Sequence, residues 1–120
     1  MKILQKVVDE LWAYVVKIRD KFCQRCGSRK NLDAAHIISR VHGSTRFELG
    51  NGICLCRKCH TLAHDQEDRF LAWACRKIGP QLFHELVVKS KQLVKINKEF
   101  LEQQIFQLKT ALSNILAEKG

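Results

Sequence analysis

Two Cys-x-x-Cys pairs, Cys23/Cys26 and Cys56/Cys59, enclose most of a series made of His36, Asn51, His60 and His64. In each pair two intervening residues let both sulfurs reach one ion, and four such thiols form the donor set of a tetrahedral structural zinc site. Gly27, directly behind the first pair, permits the tight turn that such a knuckle needs. The histidines offer a second chemistry. His60 and His64 stand four apart, so on a helix they project from one face and can ligate the same divalent cation. His36, carried toward them by the zinc-stapled loop, is then a general base facing that metal.

The composition restricts what such a site could serve. A chain of 120 residues suits one domain with a modest core. Lys and Arg number 21 against 12 Asp and Glu, a formal charge of +9, and a small protein this basic usually meets polyanions. Residues 1–64 hold 12 basic and 5 acidic side chains, a net of +7, so the excess lies with the cysteines and histidines. The apolar start from Met1 to Val16 is interrupted by Lys6, Asp9 and Glu10, and no small-residue cleavage site follows, which argues against a signal peptide. No run approaches membrane-spanning length. The expectation is a cytoplasmic protein with no membrane partner, whose six cysteines stay reduced and favour metal ligation over disulfides. Cys54 and Cys75 fall outside the two-residue spacing and read as small buried side chains.

The elements that position these groups follow from periodicity. Ile3, Leu4, Val7, Val8, Leu11, Val15 and Ile18 have the spacing of an amphipathic helix over residues 2–20. From Cys23 to Cys59 four glycines punctuate short apolar runs such as 34–38 and 52–55, the pattern of loops with one or two short strands. Helical spacing returns near Cys59 and continues to Ile78, where Gly79-Pro80 stops it, so 21–78 is read as the core unit. Residues 81–117 lack Gly and Pro, and Leu86, Leu93 and Phe100 repeat at seven. That pattern predicts one long C-terminal helix, which folds back on the N-terminal helix or pairs with a second copy in a homodimer. Trp12 and Trp73 lie on helical stretches and are assigned to the core. His42 and His84 fit no site and are assigned to the surface. The fold class is α+β, mostly helical, in a single domain.

Taken together, His36, Asn51, His60 and His64 resemble the HNH, or ββα-metal (His-Me finger), nuclease motif. Their order and spacing are similar to those of the nuclease colicins, and the flanking cysteine pairs resemble those of phage endonucleases that resolve branched DNA. Arg19-Asp20, the run Phe22 to Gly27, Ala35-His36 with Arg40, Asn51-Gly52, Leu55-Cys56, Phe70, Trp73 and Gly79, followed by a long terminal helix, resemble small phage HNH proteins of the NinG recombination type. That likeness covers most of the chain in outline, and residues 23–64 in specific motif.

The resemblance implies that His36 deprotonates the attacking water and that Asn51 holds the loop that aims it. It implies that His60 and His64 bind a catalytic cation, magnesium or manganese in use, with zinc or nickel substituting in vitro. That cation polarises the scissile phosphate and stabilises the leaving 3′-oxygen. The activity implied is nicking or cleavage of DNA in phage or prophage recombination or branched-DNA processing, in the host cytoplasm, leaving 5′-phosphate and 3′-hydroxyl ends.

One position departs from the pattern. Many members of the family carry an Asp or His ligand directly before the general base, where this chain has Ala35, which cannot ligate. Asp33, or Asp65 beside His64, are the compensating carboxylates; otherwise the cation rests on His60, His64, water and phosphate oxygens. Arg29, Arg40, Arg46, Arg57 and Lys58 surround the site as phosphate contacts that position DNA without reading its sequence. Two further readings stay open. One is a non-catalytic zinc-binding DNA module in which Ala35 marks a decayed centre. The other is a protein-interaction domain built on the knuckles and the heptad stripe.

Overall fold

The chain, described over residues 2–119 in a computed structural model, is organised around two short antiparallel strands, β1 (Leu32–His36) and β2 (Gly52–Cys56). They pair from Leu32 opposite Cys56 to His36 opposite Gly52. Helix α1 (Lys2–Asp20) precedes them, and a short α2 (Gly43–Arg46) and a 3-10 turn (Leu49–Asn51) lie between them. Helices α3 (Arg57–Asp65), α4 (Glu67–Ile78), α5 (Pro80–Ser90) and α6 (Lys98–Lys119) follow.

Every residue of β2 is buried, as its unbroken apolar run Gly-Ile-Cys-Leu-Cys requires of a strand covered on both faces. One face belongs to a core with α3 and α4, built from Ala35, Ile53, Leu55, Ala63, Phe70 and Ala74. The other packs on α1 and α6 through Val8, Trp12, Val16, Cys54, Leu101 and Leu108. Gly52 is required here by close approach: a Cβ on it would meet both Trp12 and Val16 at 2.6 Å, so α1 can lie against this strand end only if the position has no side chain.

The N-terminal helix spans the expected residues. It ends at Lys21, whose φ is +72° and whose N–H returns to the Lys17 carbonyl at 2.8 Å. The last turn is fastened to the sheet by charge. The Arg19 guanidinium donates to the carbonyls of Leu49 and Gly52, both at 2.7 Å, and pairs with Asp20 at 2.7 Å. Asp20 in turn accepts the Cys54 N–H at 2.9 Å. Truncating Arg19 removes the charged donors from the Leu49 and Gly52 carbonyls. Arg19→Ala is therefore expected to destabilise the fold by about 2 kcal/mol, seen as a lower urea midpoint at constant slope; an unchanged midpoint would mean that water replaces the guanidinium without loss.

Two helical expectations are corrected. The stretch from Cys59 to Ile78 is not one helix, because Gln66 adopts φ −127°, ψ 61° and separates α3 from α4. The helix expected over 81–117 is two, interrupted at residues 91–97. Lys91 and Gln92 close α5 with N–H bonds to the carbonyls of Val88 and Lys89. Asn97 starts α6 afresh, its Oδ1 accepting the Phe100 N–H at 2.9 Å, which is N-capping. Leu93, the middle member of the apparent heptad, is fully exposed. Helix α6 spends its apolar stripe on α1: Leu101 and Leu108 are buried among Val8, Trp12 and Val16. Within the chain the terminal helix folds back on the N-terminal helix. No helix among the described residues is long and apolar enough to cross a membrane.

Candidate metal centre and nuclease cleft

The sulfurs of Cys23, Cys26, Cys56 and Cys59 lie within 4.8 Å of one another. A tetrahedral ion with Zn–S bonds of about 2.3 Å needs sulfurs about 3.8 Å apart, and Cys26 and Cys56 stand at 3.6 Å. Each pair is a knuckle, with the N–H of Cys26 on the Cys23 sulfur and the N–H of Cys59 on the Cys56 sulfur, both at 3.4 Å. Gly27 has φ +82°, the left-handed turn expected behind the first pair. Cys56 is also the N-cap of α3.

Burial raises the Cys23 thiol, but backbone N–H donors at Cys56, Cys26 and Arg25 outweigh it and bring it down to about 6. Burial, and then the neighbouring sulfurs, push Cys59 up. Four thiolates in this space repel one another unless a divalent cation neutralises them, so the donor set fits structural zinc. Cys54 is excluded from it: the thiol lies in the α1–α6 core, where burial and the Asp20 carboxylate raise it to about 11. Cys75 sits half-buried on α4.

A cleft of about 580 Å³ opens beside the sheet, and His36, Arg40, His60, His64, Glu67 and Trp12 line it. His36 closes β1. Its Nε2 lies 3.0 Å from the Arg46 carbonyl; a carbonyl can only accept, so Nε2 carries the proton and Nδ1 keeps the lone pair. Burial lowers the His36 pKa, opposed by that carbonyl and by Asp9 and assisted by Arg46 and Arg40.

Asn51 is fully buried. Its Oδ1 accepts the Ile38 N–H at 2.7 Å, and its Nδ2 donates to the carbonyls of Ile38 and Thr45 at 2.9 and 3.2 Å. The side chain thus ties the residue two beyond His36 to the residue just before Arg46, closing the loop that receives Nε2.

His60 and His64 lie on α3, with ring centroids 4.9 Å apart. The His60 Nδ1 is 3.1 Å from one oxygen of Asp33, and Arg57 donates to the other at 3.1 Å. Arg57, with His60 after it, holds the Asp33 carboxyl below the usual range. An ionised Asp33 accepts from Nδ1–H, which leaves Nε2 of His60 with the lone pair a metal needs. Both oxygens of Asp33 are therefore engaged. The cysteine quartet is the only group of three or more His, Cys, Asp or Glu placed to share a metal among the described residues, so the cleft supplies at most a pair of close donors, and Ala35, buried against Ile53, adds none. Asp65, the other carboxylate considered, is exposed next to His64.

The five basic candidates separate. Arg40 lines the cleft and Lys58 is exposed. Arg57 holds Asp33 with its side chain largely in solvent, and Arg29 lies over the Phe22 ring. Arg46 is the exception: a two-point ion pair with Asp9, at 3.0 and 2.7 Å, commits its guanidinium. His42 and His84 are exposed. Glu67, which lines the cleft, was not legible in the sequence, since no periodicity marks the turn at Gln66 that puts it at the head of α4.

Two strands and the helix α3 bring a histidine pair and a strand-end histidine to one cleft, with a cysteine quartet at the ends of the strands. Residues 23–66 match the family model of the HNH endonucleases, and the chain therefore contains an HNH endonuclease domain. The match takes in all four cysteines and His36, Asn51, His60 and His64, and leaves out α1, α4, α5 and α6. No curated protein and no solved structure matches the chain.

Proposed function

We propose that this protein is a divalent-metal-dependent endonuclease that nicks or cleaves DNA. The observation that carries the reading is one cleft lined by His36, by the His60–His64 pair and by Arg40, in a chain of net charge +9. His36 is the general base: partly buried and neutral near pH 7, it takes the proton of the attacking water at Nδ1. Asn51 holds the loop on which that geometry depends. His60, oriented by Asp33, and His64 hold the catalytic cation, magnesium or manganese, which supplies charge stabilisation at the scissile phosphate and the leaving oxygen. Asp33 orients and does not ligate. Arg40, with Lys58, Arg57 and Arg29 outside the cleft, contacts phosphates; Arg46 serves the site through its carbonyl. The biology proposed is phage or prophage recombination, on the resemblance of motif described above.

Ala35 favours one alternative, a DNA-binding module without catalysis. The experiment that separates the two is nicking of supercoiled plasmid and of a synthetic four-way junction. The protein keeps its structural zinc, checked by metal content, and magnesium or manganese is restored after stripping. Metal-dependent cutting with a preference for the junction is expected. Salt-sensitive binding with no cutting under either metal would replace this reading with the binding module.

A further inference from the structure

Helix α1 lies outside the matched nuclease segment, yet two of its side chains one turn apart, Asp9 and Trp12, build the socket of His36. The Trp12 indole stacks on the imidazole with ring centroids 4.0 Å apart and planes 11° from parallel. Trp12 is itself immobilised. Its Nε1–H donates to the Glu48 carbonyl at 2.7 Å, it is 2 % exposed, and it fills the space that Gly52, the strand partner of His36, leaves beside the sheet. Asp9 acts through Arg46. It grips Arg46 through two hydrogen bonds, and the Arg46 carbonyl receives Nε2 of His36. The stack restricts the plane of the imidazole, and the hydrogen bond restricts rotation within that plane and selects the tautomer. An imidazole has only two side-chain torsions, and these contacts restrain both.

We infer that Trp12 and Asp9 are positioning residues for His36, so that the N-terminal helix completes the nuclease centre. The inference rests on the reading of His36 as the base. A tryptophan buried for core packing alone has no need to lie parallel to this ring, and an ion pair made for stability alone has no need to hold the residue whose carbonyl meets it.

The test compares wild type with Trp12→Phe, Trp12→Leu and Asp9→Asn, all with zinc content and thermal unfolding checked. Long-range nitrogen–proton NMR reads the His36 tautomer, and nicking kinetics separate kcat from KM. Wild type is expected to show His36 as one tautomer with the proton on Nε2. In Trp12→Leu and in Asp9→Asn the two tautomers should mix, and kcat should fall by about 10- to 100-fold while KM stays within about twofold. Trp12→Phe, which keeps a stacking face, should recover most of the loss. Retention of the single tautomer in both Trp12→Leu and Asp9→Asn, with rates that track only the folded fraction, would overturn the inference. If Trp12→Leu does not fold, Asp9→Asn carries the test alone, since it replaces a half-exposed carboxylate without opening the core. If wild type does not cut, the tautomer comparison still decides whether α1 fixes His36, and it is the nuclease reading that fails.

Discussion

Removing the structural zinc, by chelation or by Cys59→Ser, is expected to unfold residues 23–66 while leaving part of the α1–α6 helical signal. Cys23 and Cys59 are buried, and the segment from Cys23 to Asn31 has little else to hold it: the N–H of Cys23 on the Ser28 carbonyl, that of Gln24 on the Cys54 carbonyl and that of Arg57 on the Asn31 carbonyl. Structural zinc in small thiolate sites is worth about 10–16 kcal/mol, as large as the whole stability of a typical domain, about 5–15 kcal/mol. Losing it should therefore abolish the cooperative transition of the core rather than shift it. Circular dichroism during a melt, paired with zinc release measured by a colorimetric chelator, reads the outcome. A metal-free protein with the same melting temperature would show that the thiols pack adequately without an ion. The α1–α6 core survives in part because none of its buried residues is a cysteine ligand.

His36→Ala should lower the single-turnover cutting rate by about 10²- to 10⁴-fold, with DNA affinity within about twofold of wild type. Loss of binding in parallel with cutting would reassign His36 to substrate contact. The same group sets the pH dependence. The base must be neutral, and burial lowers its pKa below the ordinary 6.5, so the acid limb of the cutting rate should have its midpoint below 6.5. Stability follows the same sign. The unfolded chain takes up the His36 proton near 6.5 and the folded chain only at lower pH, so the stabilisation is complete above about pH 6.5 and is lost as pH falls through the folded value. In His36→Ala both features should vanish. An acid limb that persists unchanged in Asn51→Ala and His36→Ala would belong to a different group.

Features set by local spacing were legible in the chain. The apolar period over residues 2–20 determined α1, because a helix buries one face at a fixed repeat. Two intervening residues determined each knuckle, because that is the reach of two sulfurs to one ion. The interval of four between His60 and His64 determined a shared face on α3. The apparent heptad through Leu86, Leu93 and Phe100 misled for the complementary reason: spacing says which residues align if a helix continues, and nothing about whether it does. The Asn97 cap, which restarts the chain as α6, is a single side-chain hydrogen bond, and Leu93, in the interruption between the two helices, is exposed.

What the tertiary structure alone decided are the contacts between residues distant in the chain. Trp12 meets His36, Asp9 meets Arg46, and Asp33 meets His60 because two strands and three helices pack in one arrangement. Each such contact depends on distances set by all the intervening elements together, and no local period records them. Hence Trp12 could be assigned to the core from its helix yet not to the imidazole of His36 on which it stacks. Asp33 could be placed near the site yet not recognised as the group that turns His60. Arg46, one arginine among several around the motif, has its guanidinium held by Asp9, on a helix thirty-seven residues earlier, while its carbonyl meets His36.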